Sequence, residues 1–219
     1  MDRQHLLDGL MEEIHQEYQD TANYTHCQHV SLAVEEALRE VPRDLFVPPD
    51  YRDYAFANKP LPIGSNQTIS QPYIVAIMTD LLRLQKNSKV LEIGTGCGYQ
   101  TAILAKLATK VFSVEIIPAL HQQALDNLLI CGVNNCHLKL GDGNEGWPQE
   151  APFDAIIVTA CADEIPHPLL EQLSQEGRLV IPLKLYGQQQ LCVVTLDQSR
   201  QPHVQPLLPV RFVPFVRVS

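Results

Sequence analysis

The ten residues Val90-Leu91-Glu92-Ile93-Gly94-Thr95-Gly96-Cys97-Gly98-Tyr99 restrict the fold of this chain more than any other stretch. An apolar run with one internal acid ends in three glycines at alternate positions. Apolar residues at Ala102, Ile103, Leu104, Ala105 and Leu107 follow. The pattern predicts a strand, a tight turn and a buried helix, which together open a nucleotide-binding α/β unit. Glycines there let the backbone approach a ligand that a Cβ would exclude, and the helix start offers N–H groups with no intrahelical partner. A dinucleotide fingerprint would need its third glycine at position 99, where Tyr99 stands. A second strand, 110–115, ends in Glu115, 21 residues beyond Gly94. A carboxylate at that strand tip accepts hydrogen bonds from ribose hydroxyls, so the ligand is expected to contain ribose.

The arrangement Glu92-x-Gly94-x-Gly96-x-Gly98 resembles motif I of S-adenosylmethionine-dependent methyltransferases. In that family the acid takes part in holding the methionine end of the cofactor. Composition narrows the partners. A net charge of −9 opposes general affinity for nucleic acid or an anionic membrane. No apolar run reaches the length of a membrane span, and the polar start Met1-Asp2-Arg3-Gln4-His5 begins no secretory signal. Cysteines 27, 97, 131, 136, 161 and 192 form no CxxC pair, as expected for reduced thiols in a cytoplasmic protein. At 219 residues with 45 % apolar content, one α/β domain is expected.

The chain begins with Leu7, Leu10, Met11, Ile14 and Tyr18 at helical spacing, an amphipathic helix over 1–24. It would pack on the main body, mediate self-association or stand as a loosely attached extension. Thr25-His26-Cys27-Gln28 has the form of a capping box for a second helix that Pro42 ends. His26, Cys27 and His29 lack a fourth ligand nearby, so no metal site is expected. A proline-punctuated stretch over 42–56 should wrap on the core and shape a cleft wall. Gly64 to Ser70 reads as polar and flexible. Ser70 is the expected N-cap, and Pro72 the first turn, of a helix carrying Ile74, Val75, Ile77, Met78, Leu81 and Leu82. Hydroxyls near a helix N-terminus can hold a carboxylate.

Beyond the glycine loop the pattern alternates as in doubly wound folds. A helix is expected over 118–131, a strand over 136–140, a turn at Gly141-Asp142-Gly143 and a buried strand over 153–160 ending in small residues. A helix over 168–173 and strands over 177–182, 190–196 and 207–216 complete the reading. In domain terms, 1–219 is one domain, with 1–25 a helical extension and 26–88 a helical, cleft-forming subregion.

Several stretches together resemble the protein-L-isoaspartate O-methyltransferase family: Val41-Pro42-Arg43 with Phe46-Val47-Pro48, Leu61-Pro62-Ile63-Gly64, Gln67-Thr68-Ile69-Ser70-Gln71-Pro72-Tyr73, the glycine loop, Gly141-Asp142-Gly143, Pro152 to Ala160, and Pro209-Val210-Arg211-Phe212-Val213-Pro214. The similarity spans about 30–215, and the Thr-Ile-Ser-Gln-Pro and Arg-Phe-Val-Pro stretches separate this family from other methyltransferases. It implies an α/β, doubly wound, seven-stranded Rossmann-like methyltransferase fold with the last two strands in altered order. It also implies methylation of the free carboxylate of L-isoaspartyl, and less well D-aspartyl, residues in damaged proteins. The ester then collapses to a succinimide. Cys97 stands where serine is usual, and a cysteine at a helix start can have a lowered pKa, though its simplest role is a small side chain.

The resemblance implies Ser70, backed by Thr68, for orienting the substrate carboxylate. Glu92, Gly94, Thr95, Gly96 and Gly98 would hold the methionine part of S-adenosyl-L-methionine, Glu115 the ribose, and Asp142 with Gly143 the adenine. Thr159 and Ala160 would border the methyl group, and Val210, Phe212 and Val213 would cover the substrate backbone. An α-carboxylate has a pKa of roughly 3.5, so it is ionised at neutral pH and needs no base. Isoaspartyl proteins and peptides are the expected partners of a monomer that binds neither nucleic acid nor membrane. Three readings compete: the repair enzyme, a methyltransferase of the same fold with another acceptor, and a catalytically idle cofactor-binding or interaction protein docking through its first helix. A nicotinamide dehydrogenase runs behind because of Tyr99.

Overall fold

The computed structural model describes residues 3–216, so the outermost two residues at the start and three at the end of the expected domain lie outside the described residues. Helix α1 (Arg3–Thr25) and α2 (Leu32–Glu40) come first, followed by 3-10 turns over 43–45 and 49–54. A small antiparallel hairpin, β1 (Leu61–Gly64) and β2 (Gln67–Ile69), leads into α3 (Pro72–Leu81). The α/β body follows as β3 (Lys89–Ile93), α4 (Tyr99–Leu107), β4 (Lys110–Glu115), α5 (Pro118–Ile130), β5 (Cys136–Leu140) and β6 (Phe153–Val158). Helix α6 (His167–Gln172) and strands β7 (Leu173–Leu185), β8 (Gln188–Leu196) and β9 (Pro202–Pro209) complete it.

The large sheet has seven strands in the order β5-β4-β3-β6-β7-β8-β9. The first five run parallel, and β8 and β9 are added antiparallel in chain order. This simple meander agrees with the altered strand order that the resemblance implies. The chain leaves β3 toward β4 and β5, then returns to the other side of β3 as β6. The resulting switch point lies between β3 and β6, where open α/β sheets bind ligands at their carboxyl edge. The central strands are buried on both faces: Val90, Leu91, Val111, Ile156, Ile157, Leu179 and Val180 have no exposed surface, as expected when helices cover both sides.

Four expectations need correction. Thr25 belongs to the end of α1, so its stretch caps nothing. The second helix starts later, with Ser31 as N-cap accepting from Val34 N–H. Gln71, rather than Ser70, occupies the N-cap of α3, and it makes no side-chain cap bond, so Ser70 is left for another role. Gly64 to Ser70 is a hairpin instead of a flexible loop. Ser65 and Asn66 both adopt positive φ, at 50° and 56°, as a tight turn matching strand twist requires. The last strand ends at Pro209, and residues 210–216 cross the sheet edge as a strap. Val210 N–H donates to Gln189 O at 3.0 Å, Cys161 N–H to Val213 O and Phe215 N–H to Cys161 O at 2.8 Å each. Pro214 suits this path because a strap spares the ladder hydrogen bond it cannot donate, and Pro209 closes the edge strand β9.

Helix α1 is firmly attached to the body. Leu7, Leu10, Met11, Ile14 and Tyr18 are buried in the same apolar cluster as α3 and the sheet residues Val90 and Val193. Tyr18 donates to Asp80 Oδ2 at 2.6 Å and meets Tyr73 edge-to-face at 5.7 Å. Ile14 has no exposed surface. Ile14→Ala is therefore expected to cost about 2–5 kcal/mol of stability, read as a lowered urea midpoint. An unchanged midpoint would show a helix that rests on the surface without packing.

Candidate functional site

Two cavities open side by side along the carboxyl edge of the sheet. The first, about 840 Å³ with its open mouth included, is bounded by the ends of β3, β4 and β6, the hairpin and the strap. The second, about 1410 Å³ counted the same way, lies between α1, the hairpin, the start of α3 and the strap. Thr68, Ser70, Thr159 and Val213 line both.

The first cavity follows from the glycine loop. Gly94 turns away from β3 with φ at +93°, and a Cβ there would collide with the Thr159 hydroxyl. That hydroxyl donates to Ile93 O at 3.1 Å and Gly94 O at 2.7 Å, which ties the loop to the end of β6. Glu115 lines the cavity from the tip of β4. Its Oε2 accepts from Gly96 N–H at 2.8 Å and its Oε1 from Ile117 N–H at 2.9 Å. Each carboxylate oxygen keeps a further lone pair for a hydroxyl of a bound ligand. Gly143 also lines the cavity, and a Cβ on it would strike the Ile93 side chain. These features fit a flat, ribose-bearing ligand held close to backbone.

Of the residues expected to hold a cofactor, Gly94, Gly96, Glu115 and Gly143 come together here, whereas Glu92, Thr95, Gly98 and Asp142 are not in the cavity wall. Glu92 has no exposed surface. Its Oε2 accepts from Thr101 Oγ1 at 2.5 Å and Ser113 Oγ at 2.6 Å, and the Thr95 hydroxyl joins Ser113 at 2.6 Å. The acid thus braces the glycine loop from behind. Gly98, with φ at +89°, starts α4 against Leu128. Asp142 accepts from Asn144 N–H at 2.8 Å and caps the short turn after β5. Burial pushes the Cys97 thiol up to about 12, in keeping with the expected role of a small buried side chain rather than a thiol activated by the helix start.

The shared wall rests on the hairpin, and Arg43 closes the hairpin's base. Its guanidinium is 2 % exposed and has no carboxylate partner among the described residues. It donates to Ala55 O at 2.6 Å, Lys59 O at 3.1 Å and Ser70 O at 2.9 Å, joining the residues that enter and leave the hairpin. Desolvation lowers its pKa. Retaining an uncompensated buried cation is costly, and the three carbonyls offset that cost while fixing Ser70. Among the described residues, the Thr68 and Ser70 hydroxyls have no protein partner, so both can donate to a ligand. Sequence reasoning missed the apolar Ile116, Ile117 and Leu120 beside Glu115, and Glu17, Thr21 and Tyr24 of α1 in the second cavity. The apolar pair directly after a strand-tip acid was the available signal for the former. The latter needed tertiary placement.

The family model described as protein-L-isoaspartate(D-aspartate) O-methyltransferase matches residues 19–219. The chain belongs to this family. The protein-L-isoaspartate O-methyltransferase of Opitutus terrae is 52 % identical over 181 residues, covering 83 % of this chain and 78 % of its own length. Protein-L-isoaspartate O-methyltransferase 2 of a Polaromonas species is 47 % identical over 206 residues, covering 94 % and 98 %. A solved protein-L-isoaspartate O-methyltransferase superposes with a TM-score of 0.81 at 27 % identity, over 93 % of this chain and 65 % of that one. A Plasmodium falciparum structure of the same name, solved in complex with S-adenosyl-L-homocysteine, shares the fold with a TM-score of 0.78 at 22 % identity, over 94 % and 98 %.

Glu92 gives the site a pH signature. Burial outweighs the Ser113 and Thr101 hydrogen bonds and raises its carboxyl from 4.5 to about 8. The folded state therefore favours the protonated acid. The associated stability is complete below about pH 4.5 and is lost as pH rises through about 8. Glu92→Gln lacks this loss, so its melting temperature relative to the parent should climb between pH 5 and 8.5. Parallel pH profiles would contradict a buried, protonated Glu92.

Proposed function

We infer that this chain transfers the methyl group of S-adenosyl-L-methionine to the free carboxylate of L-isoaspartyl, and less efficiently D-aspartyl, residues in damaged proteins. The methyl ester collapses to a succinimide, and hydrolysis returns part of it to aspartate. The carrying observation is the pair of cavities meeting at Thr68, Ser70, Thr159 and Val213. One cavity suits a ribose-bearing cofactor. The other is an open groove between α1, the hairpin and the strap, which we assign to the peptide substrate. The bound cofactor supplies a methyl group on a positively charged sulfur, reactive toward an oxygen nucleophile.

The residues do the rest by alignment and exclusion of water. Glu115 holds the ribose, and Gly94 and Gly96 let the methionine part lie against backbone. Gly143 admits the adenine beside Ile116 and Ile117. Glu92, Thr95 and Gly98 contribute by shaping the loop, and Asp142 by fixing the turn that carries Gly143. Ser70 and Thr68 donate to the substrate carboxylate and turn one oxygen toward the cofactor side. Thr159 and Ala160 border the transferring group, and Val210, Phe212 and Val213 cover the substrate backbone. No general base is needed, since the carboxylate is already ionised (pKa roughly 3.5).

The proposal extends to a monomeric cytoplasmic protein of one domain. Its support is the six free cysteines, the net charge of −9 and an apolar cluster continuous from α1 to β9. Among the described residues, no helix is long and apolar enough to cross a membrane.

The test is methyl transfer from labelled S-adenosyl-L-methionine to one peptide in isoaspartyl and aspartyl forms, repeated with Ser70→Ala. Base-labile label is expected on the isoaspartyl form alone. Ser70→Ala should lower kcat/KM by about 10–100-fold, the worth of a hydrogen bond to a charged group, with cofactor affinity kept. Equal loss of turnover and cofactor affinity would make Ser70 structural. Label on neither peptide would overturn the repair reading.

A further inference from the structure

Helix α1 builds one wall of the peptide cavity, and most of it precedes the span matched by the family model, which begins at residue 19. Glu17, Thr21 and Tyr24 line the cavity at helical spacing i, i+4 and i+7, so they form one face. The buried stripe ending at Tyr18 lies on the adjoining face, Leu10 and Ile14 standing two turns before Glu17 and Thr21. This wall is held in place from several sides. Tyr18 bonds Asp80, Thr21 Oγ1 bonds the Tyr73 hydroxyl at 2.5 Å, and Gln71 Nε2 donates to Glu17 Oε1 at 3.3 Å. Asp80 itself is fixed by Ser31 through its N–H at 3.1 Å and its hydroxyl at 2.5 Å.

We propose that α1 is a specificity wall, in which Glu17 and Tyr24 select substrate segments carrying a cationic side chain next to the isoaspartyl residue. This rests on the methyltransferase reading above and adds to it the class of damaged segment preferred. Glu17 is half-buried at the cavity wall, where its charge is less screened than on open surface. Among the described residues, it accepts one neutral hydrogen bond, from the Gln71 amide, and no cation pairs with it. Tyr24 is 58 % exposed on the same face, and an aromatic ring there also attracts a cation. Among the described residues, the other charged group in the cavity wall is Arg211, on the strap. A segment lying between the two meets an acidic wall and a basic strap, so the flanking charge sets which way it lies.

The test uses three isoaspartyl peptides differing only in flanking residues, with Lys, Gln or Glu on both sides. It reads kcat/KM by label transfer and peptide affinity by titration. Glu17→Gln keeps the acceptor oxygen for Gln71 and removes only the charge. It should lower the Lys-to-Glu preference about threefold or more in both readouts, with Glu17→Lys lowering it further. The difference between parent and Glu17→Gln should shrink in 0.5 M salt. Glu12→Gln, the same charge change at an exposed position outside the cavity wall, should leave the preference at the parent value. An unchanged preference in Glu17→Gln, or an equal shift in Glu12→Gln, would overturn the proposal while leaving the methyltransferase reading intact. Transfer to none of the three peptides would instead overturn that reading, and this inference with it.

Discussion

The Thr159 hydroxyl joins the two strands between which the whole site is built. It sits one residue past β6 and donates to the carbonyls of Ile93 and Gly94, where β3 ends and the glycine loop begins. Those strands are parallel neighbours in the sheet but far apart in the chain, because the order in which strands are added reverses at β3. A crevice at such a switch point is a consequence of topology. Its usable shape depends on the loop being pulled to one side, and Gly94 permits this because a Cβ would occupy the place of the Thr159 hydroxyl. Glu92, Ser113, Thr101 and Thr95 hold the same loop from beneath through three short hydrogen bonds. The loop is fixed on both sides before any ligand arrives, so little ordering is left for binding to do.

A second construction supports the cavity beside α1. Arg43 gathers three backbone carbonyls at the base of the hairpin, and Ser70 is one of the residues it holds. The strap over 210–216 closes the same region from above, bonded to Gln189 on β8 and to Cys161 beyond β6. Phe212 N–H donates to the Gln189 side-chain oxygen at 2.6 Å, and the Gln189 amide donates back to Phe212 O at 3.2 Å. Both cavities therefore share walls drawn from the hairpin, the strap and the end of β6. In the proposed reading, this common boundary is where cofactor and carboxylate meet.

Much of this was legible in the residues. The parallel strands declared themselves because buried strands read as apolar runs ended by glycine or small residues, as in Val90–Gly94 and Phe153–Ala160. Glu115 was legible as a strand-tip acid. Glu92 was not, because an acid two residues earlier on a strand points into the layer between sheet and helix, and only the fold shows that Thr101 and Ser113 meet it there. The hairpin was hidden by its polar composition, since Ser65-Asn66 carries the turn without the more recognisable Asn-Gly pair. Ser70 was misread as a cap because a serine before a helical proline has that form, while the chain uses Gln71. The roles of Arg43 and α1 depend on contacts across 12 to 62 residues of chain, which no local pattern encodes.

The two cavities meet at one wall, lined by Thr68, Ser70, Thr159 and Val213. The most direct measurement is a crystal structure of the protein with S-adenosyl-L-homocysteine and an isoaspartyl peptide bound together. The account predicts the ribose on Glu115, the peptide between α1 and the strap, and the isoaspartyl carboxylate on the Ser70 hydroxyl, facing the sulfur past Thr159. A carboxylate bound away from Ser70, or a cofactor whose sulfur points away from the shared wall, would contradict it.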